Sequence, residues 1–141
     1  METYLYMARE SFGVAVFAWP ISLGVGALAL IALAAGSPLK DSEFRKRLRV
    51  PLISYAFPFA ILLVGYVLRY DGPPHPHWVE PPEWHGVPIS ALLIAHTAAL
   101  IAAPILVKGA RVRVVALLLP GLWLSWCASL IAGIAVAGVG P

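Results

Sequence analysis

Charged residues are scarce in this chain. Asp, Glu, Lys and Arg make up 12% of its 141 residues, about half the share found in a soluble domain. The scarcity is uneven: long apolar stretches carry no charge, and the charges gather in short clusters between them. Cysteine is nearly absent as well. Cys127 stands alone, which excludes an intrachain disulfide.

The motifs of common enzymes are missing too. There is no phosphate-binding glycine loop, no Gly-x-Ser-x-Gly elbow and no His-Glu-x-x-His helix. Ser125, Cys127 and Ser129 lie in an apolar run with no titratable neighbour in sequence. No carboxylate lies well inside an apolar run, which counts against a proton-coupled exporter of the small multidrug type. The expectation is a protein without catalytic activity of its own.

What the chain does have is apolar length. Sixty per cent of its residues are hydrophobic, and a bilayer core about 30 Å thick needs roughly 20 such residues as helix. Four runs qualify, at 11–36, 50–68, 87–107 and 114–139. The sequence therefore predicts an all-α membrane protein of four transmembrane helices in one domain, residues 1–141, with an outer loop at 69–86. Ala32-Leu33-Ala34 resembles a signal-peptidase site, but the first run is longer than a signal core and is not preceded by a basic segment. It is expected to stay attached.

The net charge of +3 does not indicate nucleic acid, because its distribution follows membrane topology. Lys40, Arg45, Lys46, Arg47 and Arg49 lie between the first two runs, and Lys108, Arg111 and Arg113 between the last two. The opposite side has Arg9 and Arg69 as its bases, against Glu2, Glu10, Asp71, Glu80 and Glu83. The positive-inside rule places both termini and the 69–86 loop outside a bacterial-type inner membrane. Trp19, Trp78 and Trp84, with Tyr4, Tyr6 and Tyr70, would form the outer aromatic belt.

The two halves echo each other. Pro20-Ile21-Ser22 is followed by Lys40 as Pro88-Ile89-Ser90 is by Lys108, and Arg47-Leu48-Arg49-Val50 matches Arg111-Val112-Arg113-Val114. That is the pattern of a duplicated helical hairpin with both copies in one orientation. A small apolar alphabet also produces such echoes, and both readings stay open. Pro58, Pro104 and Pro120 are expected inside helices, where each removes a backbone hydrogen bond.

Helices in lipid associate through small residues that let backbones approach. Ser125, Ser129, Gly133 and Ala137 recur every four residues, and Ser22 and Gly26 do so in the first run. These are the expected packing stripes.

Two features carry candidate chemistry. The outer loop, DGPPHPHWVEPPEWHG, holds His75, His77, His85, Glu80 and Glu83 among stiffening prolines. Imidazole and carboxylate suit Zn²⁺ or Cu²⁺, although no established ligand spacing is met, and a docking cap is the alternative. His96 is the one Asp, Glu, Lys, Arg or His well inside an apolar run, and such residues are functional candidates. It could ligate a haem or pigment, with a second axial ligand from a partner. Otherwise it is a neutral histidine bonded to a neighbouring helix.

Three functions are therefore carried forward. The first is a non-catalytic accessory subunit of a larger membrane complex, of respiratory or photosynthetic type, whose partners are lipid and other integral subunits. The second is a homo-oligomeric transporter or channel whose outer loop gathers metal. The third is an anchor for haem or pigment at His96.

Overall fold

The computed structural model describes residues 2–35, 53–72, 83–106 and 111–138. They form five helices: α1 (Glu2–Phe17), α2 (Trp19–Ala35), α3 (Ala56–Val67), α4 (Glu83–Leu106) and α5 (Arg111–Ala137). No strand occurs among the described residues. The basic cluster at 40–49, the residues His75, His77 and Glu80, and Lys108 lie outside them.

Two helices are long and apolar enough to cross a bilayer, over Trp84–Ala103 and Val112–Ala137. The expected run at 11–36 is not one straight helix. It belongs to an α1–α2 pair bent by 84° at Ala18, and it would supply a third crossing only if that pair is one broken span. The expected run at 50–68 contains α3, whose 12 residues extend about 18 Å and do not cross a bilayer core by themselves; residues 53–54, before the turn at Tyr55, are helical too. Residues 83–86, expected in the outer loop, open α4 instead.

The prolines explain part of this. Pro58 lies in the first turn of α3 rather than in a helix interior, where its missing N–H has no helical acceptor to lose. Pro120 does lie inside α5. Pro104 falls in the last turn of α4.

The bend at Ala18 has a specific hydrogen-bond structure. Ala18 N–H still reaches the Val14 carbonyl at 2.9 Å, and Ile21 and Ser22 N–H both donate to the Ala18 carbonyl. Pro20 has no N–H to continue the ladder. The Ala15 carbonyl, whose helical donor would be Trp19, accepts the Ser22 hydroxyl at 2.6 Å, and the Ser22 oxygen accepts the indole N–H of Trp123 at 3.0 Å. One serine thus closes the broken turn and ties it to α5. Ser22→Ala removes both bonds and is expected to destabilise the bundle by about 1–2 kcal/mol, on interhelical bonds worth about 0.6 and at most about 1.7 kcal/mol each. Spin labels at the exposed positions Leu5 and Leu30 should move apart as the elbow relaxes. An unchanged distance would mean that the bend does not depend on Ser22.

α5 is the hub and touches each of the other four helices. Tyr55 meets Leu117, Gly65 meets Ala132 and Tyr70 meets Ala135, so α3 runs parallel to α5. His96 meets Ser125, and Ala103 clusters with Val114 and Leu118, so α4 runs antiparallel to it. The main core joins Met7 of α1, Ile61 and Leu62 of α3, Ile89 of α4, and Ala128, Ala132 and Val136 of α5.

Apolar residues also cover the outside. Phe17 is 90% exposed, and Phe12, Leu30, Val67, Ile94 and Ile105 each exceed 60%. Such a surface is disfavoured in water and suits lipid. At one rim, Gly138 turns the chain out of α5 with φ 67°, a backbone conformation that glycine adopts without penalty. Tyr70 packs on it and donates its N–H to the Ala135 carbonyl at 3.0 Å. Beside it, Arg69 pairs with Asp71 at 2.9 Å and lies 4.4 Å above the Tyr66 ring.

Candidate functional site

His96 lies midway along α4, and its side chain is fully buried. Three residues from two other helices enclose it. Ser125 of α5, also fully buried, places its Oγ 2.7 Å from Nδ1. Phe57 of α3 stacks on the ring, with centroids 4.7 Å apart and planes 21° from parallel. Gly121 of α5 lies beside the free edge of the imidazole: a Cβ there would stand 3.5 Å from Cε1 and 3.7 Å from Nε2. Nε2 has no hydrogen-bond partner. A buried polar atom left this way costs about 1–3 kcal/mol.

The backbone around this histidine is irregular in three places. The turn at Tyr55 precedes α3, Pro120 interrupts the ladder of α5, and the bend at Ala18 is tied to Trp123 through Ser22. All three meet α5 between residues 117 and 123. Irregular backbone is tolerated at membrane depth where it is buried in protein or lines a cavity. Here it is knitted into the bundle: Tyr55 donates its hydroxyl to the Leu117 carbonyl at 2.8 Å, one residue beyond the Ala116 carbonyl that Pro120 leaves without a helical donor.

A serine hydroxyl 2.7 Å from an imidazole is the geometry of a nucleophile and its base. Two features argue against that use. Both groups are fully buried, so a substrate has no approach, and no third group orients the ring at Nε2. A haem or pigment meets the same obstacle. Phe57 covers one ring face, and the opening beside Gly121 at the Nε2 edge has room for about a methyl group, far less than a macrocycle needs. In this arrangement His96 of α4 is joined to α5 through Ser125 and to α3 through Phe57.

The other predicted residues fall as follows. Of the outer metal set, Glu83 and His85 stand in the first turn of α4, with the His85 ring edge-on to Trp84 at 3.8 Å. His75, His77 and Glu80 lie outside the described residues, and within those residues no three His, Cys, Asp or Glu converge on a point. His85 is eleven residues from His96, about 16 Å along α4. Of the packing set, Ser125 and Ala137 are buried, whereas Ser129 is half-buried and returns its hydroxyl to the Trp126 carbonyl at 2.8 Å. A Cβ on Gly133 or Gly26 would meet nothing within 4 Å. Ser22 contacts α5 through Trp123.

Tyr55, Phe57, Gly121 and Gly65 were not singled out by the sequence. The Pro120-Gly121 dipeptide was the available signal, since proline followed by glycine weakens a helix where a neighbour can approach closely. Comparison with models of protein families, with curated proteins and with solved structures finds no match to this chain.

Proposed function

We propose that this chain is a non-catalytic, four-span subunit of a larger inner-membrane assembly, with both termini outside, and that it acts by docking to other integral proteins. The observation that carries this reading is the use made of His96. The one charge-capable residue deep in an apolar run is closed in by Ser125, Phe57 and Gly121 and holds helices together. Meanwhile the outward faces keep glycines at 13, 24, 26 and 133, where a Cβ would meet nothing within 4 Å. Small residues on a lipid-facing helix are where another helix can pack closely. The parallel course of α3 and α5, with α4 antiparallel, suits the same-orientation hairpins and the inside placement of both basic loops.

A second reading, a small transporter, draws on the three backbone irregularities that meet α5 at mid-length, since broken helices at the midplane often hold a transported solute. One experiment separates the two. The tagged chain is extracted from its native membrane in mild detergent, and its companions are identified by mass spectrometry. Stoichiometric integral partners are the expected result. A homo-oligomer without partners that conducts ions or solutes in liposomes would replace the subunit reading with the transporter.

A further inference from the structure

The Tyr55 ring and His96 Nε2 flank the same point beside Gly121 of α5. Tyr55 stands in the turn before α3, with φ −69° and ψ −9°, and its hydroxyl donates to the Leu117 carbonyl. That carbonyl has a second claimant, because Leu117 is four residues before Gly121, whose N–H is its regular helical donor. Nε2, by contrast, is buried and has no partner. The two rings face the same point. The position that a Cβ on Gly121 would occupy lies 3.6 Å from Tyr55 Cε1 and 3.7 Å from His96 Nε2. Glycine leaves that point open, so the tyrosine edge and the imidazole edge are separated by bare backbone alone.

We infer that the Tyr55 hydroxyl is a two-position donor, passing between the Leu117 carbonyl on α5 and His96 Nε2 on α4. In the first position α3 is tied to α5, and Nε2 is unpaired. In the second, α3 is tied to α4, the Leu117 carbonyl falls to the Gly121 N–H, and Nε2 is satisfied. The second position relieves the unpaired Nε2 without stranding the Leu117 carbonyl, and against that gain stands the movement of the Tyr55 side chain across the gap. The second position requires a lone pair on Nε2. This fixes the proton on Nδ1, which then donates to Ser125 Oγ across the observed 2.7 Å. Gly121 is what permits the exchange, since a methyl group there would stand between the rings. The start of α3 thereby becomes a joint whose setting follows any shift of α4 against α5.

The test uses the full chain in lipid nanodiscs with ¹⁵N-labelled histidine, the His96 signals being assigned by their loss in His96→Gln. In the wild type the Nε2 resonance is expected to be displaced toward its hydrogen-bonded position relative to Tyr55→Phe, which lacks only the hydroxyl. Gly121→Ala keeps that hydroxyl but fills the gap, and it should give the resonance of Tyr55→Phe. An Nε2 resonance that is the same in the wild type and in Tyr55→Phe overturns the inference. That pair decides the matter even if Gly121→Ala does not fold.

Discussion

Gly65→Val is expected to unfold the bundle at markedly lower denaturant than the wild type, with a loss of about 3 kcal/mol, at the upper end of what overpacking costs. A Cβ on Gly65 would lie 2.5 Å from the Ala132 Cβ and 2.8 Å from its Cα. The Cα belongs to a helix backbone and cannot rotate away, so α3 and α5 must separate. The Met7 methyl, 3.2 Å from the same point, ends a flexible side chain and can yield. Gly65→Ala sets two effects against each other. Helix propensity favours alanine by about 1 kcal/mol, while forcing two backbones apart costs about 1–3 kcal/mol. The clash is with backbone, so the net should be a loss of about 1–2 kcal/mol. Gly133→Ala is the control, because the same change on α5 meets nothing within 4 Å and should be neutral or slightly stabilising. Unfolding by SDS titration, followed by circular dichroism, reads all three. Equal midpoints for Gly65→Ala and Gly133→Ala would mean that α3 and α5 do not meet at Gly65 and Ala132.

That contact shows where sequence pattern stops being informative. The existence of α4 and α5 was legible because each contains a long charge-free run. The small-residue face was not. Strict four-residue spacing overshoots a 3.6-residue turn by about 40° at each step, so Ser125, Ser129, Gly133 and Ala137 wind around α5 instead of lining one side. Among the buried residues of α5, Gly121, Ser125, Ala128, Ala132 and Val136 mix steps of three and four and share one face, while Cys127 and Ala137 are buried on others. The bend at Ala18 was illegible for another reason. Its sequence, Phe17-Ala18-Trp19-Pro20, is apolar throughout, and a proline near a helix start is ordinary. What holds the bend is Trp123, about a hundred residues away in the chain. His96 itself was legible as the lone ionisable residue of its run. Its partners were not, since Phe57 and Ser125 come from different helices and neither is unusual in a membrane span.

Those partners make His96 the second site of large expected effect, and substitutions there separate structure from chemistry. His96→Ala opens a cavity under Phe57 and should cost about 2–4 kcal/mol, as large-to-small changes in packed cores do. His96→Leu keeps most of the volume and removes both ring nitrogens, including the one without a partner. Replacing buried polar groups by apolar ones of similar shape is close to neutral, and Ser125 can turn its hydroxyl back to the carbonyl of its own preceding turn. This variant should therefore unfold within about 0.5 kcal/mol of the wild type. Ser125→Ala alone removes the bond at Nδ1 and should cost about 1 kcal/mol, within the range of interhelical bonds in membranes. In the H96L background the same serine change should cost almost nothing, and the difference between the two backgrounds measures the His96–Ser125 coupling. The pair of backgrounds also tests function. A histidine whose work is to hold α4 against α5 can be replaced by leucine without loss of partners, so H96L should carry the same companions through purification as the wild type. If H96L folds as expected but loses its companions, or loses an activity that the wild type shows, then His96 acts through its nitrogens, and the subunit reading gives way to one in which α3, α4 and α5 open around it.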